Sequence, residues 1–565
     1  MLKFSDETEV KKLAELHGHE AEALADMLSA KYQIPYIDLS KFPINTDALR
    51  LISETDARKS SLAAFKLSGR NLFLVTISPE KQETKNALAE LREKNYNLNL
   101  YLGSQASLDR AWSRYKEISR STRTEAGVID ISNEAIAEFT KKINDLASLN
   151  QLFSAEGVTA LAAGGISNLL EVLLAGGIVT KASDIHIEPQ AERVRVRFRL
   201  DGVLHDVTFL EHKLYNQILS RVKLLSGLKL NIKKSAQDGR LSIRLNETDI
   251  EIRTSILPGA YGESIVLRLL NPEAIAVTFE TLGIEPQLFE IVKKEITKPN
   301  GAVFLTGPTG SGKTTTLYAF LRYVSNSENK IITIEDPIEY HLQGINQTQV
   351  NPDKNYTFLT GLRSALRQDP DIIMVGEIRD KETAKIAINA SLTGHLVFST
   401  LHTNNAAGTV PRLIDLDVNP KIIDSALNLA MAQRLVRNLC PVCKEKRTPT
   451  SEEKKLLDAV LESIKVKRPT LVLPSTDQVL QPKVGGCDEC NHTGYRGRQG
   501  LFEAIMIDNA VAALLVENPS EREIKIAARP QGILDMRQDG VLKVLKGETD
   551  LGELSRVVDI HEEIL

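Results

Sequence analysis

The chain has 565 residues, 42% of them hydrophobic and 25% charged, with 70 Lys plus Arg against 74 Asp plus Glu and four Cys. At about 150 residues per domain that length predicts three to four domains and excludes a single small binding module, while a formal charge of −4 gives no global pull toward nucleic acid or anionic lipid. Four cysteines are too few for a disulfide scaffold and fit a reducing compartment, and MLKFSDETEVKK reaches charge too early for a secretory signal, so the expected location is cytoplasmic.

Residues 1–118 alternate helical patterns (ALADMLSAKY, ETKNALAELREK) with the strand-like runs NLFLVTI and NLNLYL, which predicts a small α/β domain. From 119 to 156 the sequence is polar, with one helical pattern, NEAIAEFTKKINDLASL, and no strand, which predicts a linker carrying a helix. The run from Gly157 to Thr180 holds one ionisable residue, Glu171. A carboxylate at mid-span costs about 2.5 to 3.5 kcal/mol. Ile166, Leu169, Leu170, Leu173 and Leu174 recur at helical spacing ahead of Gly176-Gly177, so a half-buried helix stopped by the glycines is expected, and no membrane span.

Up to residue 272 the runs DIHIEPQ, RVRVRFRL, GVLHDVTF, RLSIRL and TDIEIRTSIL alternate with period two around one helix, LYNQILSRVKLLSGL, predicting a second, mixed α/β domain over 157–272. Over 273–565 strand and helix take turns through AVFLTG, IITIEDP, DIIMVGE and HLVFSTLH. Short apolar runs separated by helices predict a parallel sheet covered on both faces.

Gly307-Pro308-Thr309-Gly310-Ser311-Gly312-Lys313-Thr314, followed by Thr315, fits the phosphate-loop pattern and lies between a strand run and a helical run, as the pattern requires. Its backbone N–H groups and the N-terminal end of the helix suit phosphate, Lys313 would reach the β and γ phosphates, and Thr314 would ligate Mg²⁺. An apolar run delivers Glu377 to a strand end, but Gly376 stands where a metal-ligating Asp is common, so a carboxylate must come from Glu335, Asp336 or Glu339. His395 and His402 flank another strand, where a lone histidine is more often packed than catalytic.

Cys440-Pro441-Val442-Cys443 and Cys487-Asp488-Glu489-Cys490 are two C-x-x-C knuckles that use every cysteine, and four thiolates suit a closed, structural Zn²⁺ site. A redox pair and a nucleic-acid zinc ribbon compete with that reading; an excess of three positive charges over residues 440–500 is too little for a strong nucleic-acid footprint. The long spacer predicts an insertion over 440–490.

GPTGSGKTTTLY, IITIEDPIEY, RQDPDIIMVGEIRDKETA and TGHLVFSTLHTN, taken in order, resemble the Walker A, Asp box, Walker B and His box of the type II secretion and type IV pilus assembly ATPases, and ASDIHIEP and RFRLDGVL resemble their second N-terminal domain. Gly376 before Glu377 is that family's pattern. The resemblance implies an α/β, RecA-like P-loop core with a tetracysteine zinc insertion, preceded by a mixed α/β (PAS-like) domain and a small N-terminal α/β domain. It implies ATP, Mg²⁺ and Zn²⁺; Glu377 acting on the attacking water; Glu335 and Asp336 supporting water and metal; and His402 sensing the γ-phosphate. It further implies a homohexameric ring in which Arg253 and Arg268, with Arg363 and Arg367, complete sites. The tetracysteine module occurs in assembly members and not in retraction ATPases. The implied work is pilus or pseudopilus assembly with an inner-membrane platform protein, peripheral to the cytoplasmic membrane and without nucleic acid; a nucleic-acid motor on the same core is the alternative.

Overall fold

The computed structural model describes residues 21–117, 128–130, 148, 151–153, 166–270, 277–515 and 517–561, with breaks at 43, 50, 69–70, 94–95 and 246–247. The first domain packs β1 (Leu62–Ser68), β2 (Asn71–Thr76) and β3 (Asn97–Leu102) into one sheet, β1 antiparallel to β2 and β2 parallel to β3. Helix α1 (Gln82–Glu93) makes the crossover, as two parallel neighbours require. Leu62, Phe65, Leu72, Leu74 and Trp112 fill its core.

The segment expected to lack strands contains one, β4 (Val128–Asp130), parallel to Ser242–Arg244. Three residues are too few to show a period in sequence. Most of the helix expected over 133–149 lies outside the described residues.

Helix α2 (Ile166–Val179) corrects a second expectation, because it runs through Gly176-Gly177 instead of stopping there. A Cβ on Gly177 would sit 2.9 Å from side-chain carbons of both Ile185 and Leu269. The glycine is therefore a close-approach residue that lets the helix lie on the sheet. Leu169, Leu170, Val172, Leu173 and Leu174 are all buried, deeper than the half-buried face expected. Among the described residues no helix is long and apolar enough to cross a membrane.

The second sheet comprises β5 (Asp184–Pro189), β6 (Val194–Leu200), β7 (Val203–Leu210), β8 (Gln237–Leu245), β9 (Thr248–Gly259) and β10 (Gly262–Leu270), with α3 (His212–Leu225) after β7. Its order is β4-β8-β9-β10-β5-β6-β7, antiparallel except at β4. Strand β6 shows the alternation that builds it: Val194, Val196, Phe198 and Leu200 are buried, while Arg195, Arg197 and Arg199 on the other face pair with Asp206, Glu188 and Asp184.

The third sheet is the largely parallel one. Strands β11 (Gly301–Thr306), β12 (Ile331–Glu335), β13 (Asn346–Gln349), β14 (Ile372–Val375), β15 (Leu396–Leu401) and β16 (Leu427–Leu439) are parallel, in the order β13-β12-β14-β15-β11-β16. Strands β11, β12, β14 and β15 are buried along their whole length, with hydrophobic clusters on both faces. Helices α4 (Lys313–Val324), α5 (Phe358–Leu366) and α6 (Lys381–Leu392) follow β11, β13 and β14.

Strand β16 is invisible in sequence, since LNLAMAQRLVRNL is rich in helix formers. It is extended because it pairs in parallel with β11 on one side and antiparallel with Tyr495–Met506 on the other. Between these two long strands lie β17 (Glu445–Arg447), α7 (Ser451–Lys467) and β18 (Val479–Gln481), with β17 antiparallel to β18. A capping box between Thr450 and Glu453 opens α7. Tyr495–Met506 is β19, and α8 (Glu521–Ala528) and α9 (Met536–Leu545) complete the core.

Candidate nucleotide site and metal centre

Strand β11 ends at Thr306 and the chain turns through 307–312 into α4. Gly307, Gly310 and Gly312 have φ of 147°, 79° and 89°, a conformation that side chains disfavour. A Cβ on Gly307 would also lie 2.6 Å from the Gln433 carbonyl oxygen. No side chain caps α4, so its first N–H groups stay available for an anion. The Lys313 amino group donates to the carbonyls of Gly307 at 2.8 Å and Pro308 at 3.1 Å, and the Ser311 hydroxyl is buried without a partner. Pro308, Thr309, Gly310 and Thr314 are exposed on the rim, with Thr315 half-buried behind. These donors are grouped in a cradle that fits a phosphate. Burial pushes the Lys313 ammonium down, Glu377 pulls it back up, and Arg434 lowers it further.

Glu377 follows β14, and its Oε2 lies 2.9 Å from His402 Nε2 at the end of β15. Arg379 donates to the other carboxylate oxygen and comes within 3.9 Å of Asp336. Burial alone would raise the Glu377 carboxyl, but the bonds from Arg379 and His402 outweigh it and hold the group below the usual carboxylate value. A carboxyl in that state is ionised at neutral pH and could act as a base. Gly376 has a structural reason: its carbonyl accepts from Thr400, and a Cβ there would sit 3.3 Å from the Ile334 carbonyl oxygen.

The two Asp-box acids separate. Asp336 is exposed, facing Arg379, and can take a metal. Glu335 is 2% exposed, with Oε1 accepting from Thr333 at 2.5 Å and Gln347 at 3.0 Å, and Oε2 accepting from the Tyr318 hydroxyl on α4. Its oxygens are taken, so in this conformation it braces α4 against β12 instead of facing water or metal.

Arg253 reaches across from the second sheet to Glu339, at 2.9 Å, and to the Ile338 carbonyl. Arg268 pairs with Asp184 of its own sheet, Arg363 stands 3.7 Å from Glu382, and Arg367 bonds back to α5. Of these four arginines, only Arg253 contacts the Asp-box segment among the described residues. His395 bonds the Ala390 carbonyl at 3.0 Å and is a packed residue at the far end of β15.

Cys440 follows β16 directly, and all four thiol sulfurs lie within 4.8 Å of one another. Cys440 to Cys487 is 3.7 Å; Cys443 to Cys490 and Cys487 to Cys490 are 3.8 Å. The backbone N–H groups of Cys487 and Gly494 both donate to Cys490 Sγ at 3.2 Å, the arrangement a thiolate wants. Among the described residues no fifth His, Cys, Asp or Glu joins this group, so the donor set suits a closed metal centre.

Sequence reasoning passed over Tyr318, Gln433 and Arg434. Gln433 accepts from Thr316 of α4 at 2.9 Å, beside Gly312. No local signal marks them, because only the pairing of Ala432 with Thr306 at the end of β11 brings them to the loop.

A parallel sheet that feeds a phosphate loop, with a glutamate and a histidine on adjoining strand ends, defines a P-loop ATPase. Residues 160–556 match the family described as Type II/IV secretion system protein, and residues 32–122 match the MshEN domain. The chain belongs to the Type II/IV secretion system protein family. It is 37% identical over 537 residues to the type IV pilus assembly ATPase PilB of Myxococcus xanthus (strain DK1622), across 95% of this chain and 91% of that one. It is 44% identical over 392 residues to the type II secretion system ATPase E of Vibrio cholerae, across 69% of this chain and 75% of that one. The structure of the ATPase DotB of Legionella pneumophila aligns with a TM-score of 0.49 at 23% identity, covering 69% of this chain and 95% of that chain.

Proposed function

We propose that this chain is the hexameric motor whose ATP hydrolysis powers assembly of a type IV pilus or of a type II secretion pseudopilus. The reading rests on one observation above the others, the 37% identity to a pilus assembly ATPase across 95% of the chain. Lys313 and the loop 307–312 hold the phosphates, with Thr314 and Thr315 on the first turn of α4. Thr314 and Asp336 would hold Mg²⁺, which supplies charge neutralisation on the phosphate oxygens when bound. Glu377 takes a proton from the attacking water, held ionised by Arg379 and His402, and His402 reports the terminal phosphate to β15. Glu335 acts through Tyr318, and Arg253 and Arg268 serve sites at the junction of the second domain with an ATPase domain of the ring.

The four cysteines hold Zn²⁺. A tetrahedron with Zn–S bonds near 2.3 Å has sulfur–sulfur edges of about 3.8 Å; three of the six edges here are 3.7, 3.8 and 3.8 Å, and all lie within 4.8 Å. The domain scheme is 1–118, 119–156, 157–272 and 273–565, with the zinc insertion at 440–490. Work is delivered to a platform protein of the inner membrane, and that partner holds the motor at the inner face of the cytoplasmic membrane.

In the organism that encodes it, replacing the chain with its Lys313→Ala variant should abolish surface fibres or secretion while the protein accumulates to normal level. Fibres and secretion at wild-type level would overturn the reading. Hydrolysis stimulated by DNA, with a steep salt dependence, would point to a nucleic-acid motor instead.

A further inference from the structure

Arg434 is a half-buried guanidinium that no carboxylate hydrogen-bonds among the described residues, Glu503 acting on it only from beyond ion-pair distance. Its Nη1 donates to its own neighbour's carbonyl, Gln433 O, at 3.1 Å, and its Nη2 to the carbonyl of Asn404 at 2.8 Å, two residues beyond His402. Among the described residues no carboxylate lies within ion-pair reach of it. Burying an arginine on carbonyls alone is unfavourable, and burial lowers this one's pKa. Two of its five donors are used, leaving part of the fork unspent.

Its position is specific. Thr306, the last residue of β11, pairs with Ala432, so Gln433 and Arg434 flank the start of the phosphate loop. A Cβ built on Gly307 would meet Arg434 Nη1 at 3.1 Å. The guanidinium thus lies against the first glycine of the loop, near enough to Lys313 for the two cations to repel. Its bond to the Asn404 carbonyl also ties β16 to the loop that leaves His402. Two cations drawn together beside a cradle of free N–H groups are stabilised by an anion between them.

We propose that Arg434 binds the terminal phosphate of ATP from within the same chain. This rests on the nucleotide-site reading above and adds to it a cation that acts in cis, on the side of the loop facing the His402 strand. The fork gives what Lys313 cannot: one side on the Asn404 carbonyl and the other on a phosphate oxygen, so filling the γ position pulls the His402 loop against the phosphate loop.

The test uses the full chain carrying Arg434→Gln or Arg434→Lys, with MgATP and MgADP affinities read from displacement of a fluorescent nucleotide and kcat and KM from phosphate release. For Arg434→Gln, MgATP affinity should fall about ten- to hundredfold and MgADP affinity less than about threefold, with kcat falling as well. Arg434→Lys keeps the charge without the fork and should recover part of the ATP preference. Equal loss of both nucleotides, or no change in either, overturns the proposal. Should Arg434→Gln fail to fold, Arg434→Lys decides alone: ATP weakened relative to ADP supports the assignment, and parity overturns it. Lys313→Ala separates the two readings. If it hydrolyses normally the nucleotide site is wrong; if it is dead while both Arg434 variants behave as wild type, only the role of Arg434 fails.

Discussion

One strand, β16, serves two sites built on opposite rules. Its middle carries Gln433 and Arg434 past the phosphate loop, and its end delivers Cys440 to the cysteine cluster. Around the loop the charged groups are half-exposed and held by interchangeable partners: Lys313 rests on carbonyls and Glu377 is shared between Arg379 and His402. In the cluster Cys440, Cys443 and Cys490 are buried and the sulfurs already face one another. A site that turns over must keep its bonds cheap to exchange, whereas a site that only holds shape can close completely.

That contrast can be broken at either end. Metal removal is the largest expected effect, since structural zinc contributes of the order of 10 kcal/mol to small domains that depend on it. Cys440→Ser, or a strong chelator, should release about one zinc per chain, read by elemental analysis, and unfold the insertion in hydrogen exchange. The parallel sheet should stay protected, because its core clusters share no residue with the cysteines. Loss of protection across the whole chain would show the two regions to be one cooperative unit.

Lys313→Ala comes next and should lower kcat by at least about a thousandfold with no change in melting temperature, because the amino group bonds only loop carbonyls. A large stability loss would mean that the loop is as closed as the cluster.

A third test concerns pH. Arg379 and His402 hold Glu377 below the usual carboxylate value against burial, so the base is lost only as pH falls through that lowered value. Arg379→Gln leaves burial less opposed, and the acid limb of kcat/KM against pH should move upward. An unmoved limb would remove Glu377 from the role of base.

The smallest effect is local to the insertion. Thr450→Ala deletes the cap of α7 and should cost about 1 kcal/mol, seen as a lower melting temperature at unchanged kcat. Glu453 of the same capping box is held at about 2 by Arg447, so its contribution is full above its ordinary value near 4.5 and fades as pH falls toward 2.

What could be read in advance follows the same division. The phosphate loop and the two knuckles are local: a few consecutive residues carry the chemistry, and spacing alone identifies them. The carboxyl ends of β12, β14 and β15 were legible because buried parallel strands are continuous apolar runs. What stayed hidden depends on long-range pairing. LNLAMAQRLVRNL is a strand only because β11 and β19 flank it, Gly177 is chosen by Ile185 and Leu269, and β4 exists through its single partner. Glu335 looked equivalent to Asp336 in sequence, yet the first is the last residue of buried β12, held beneath Tyr318, and the second lies just past the strand, exposed and facing Arg379.

The central claim is that this chain hydrolyses ATP at the 307–314 loop with Glu377 as the base. The most direct measurement is phosphate release by the wild-type chain and by Glu377→Gln, with MgATP affinity determined on the same preparations. The expected result is an unchanged affinity and a rate lower by about two to four orders of magnitude. Undiminished phosphate release by Glu377→Gln at wild-type affinity would contradict the account.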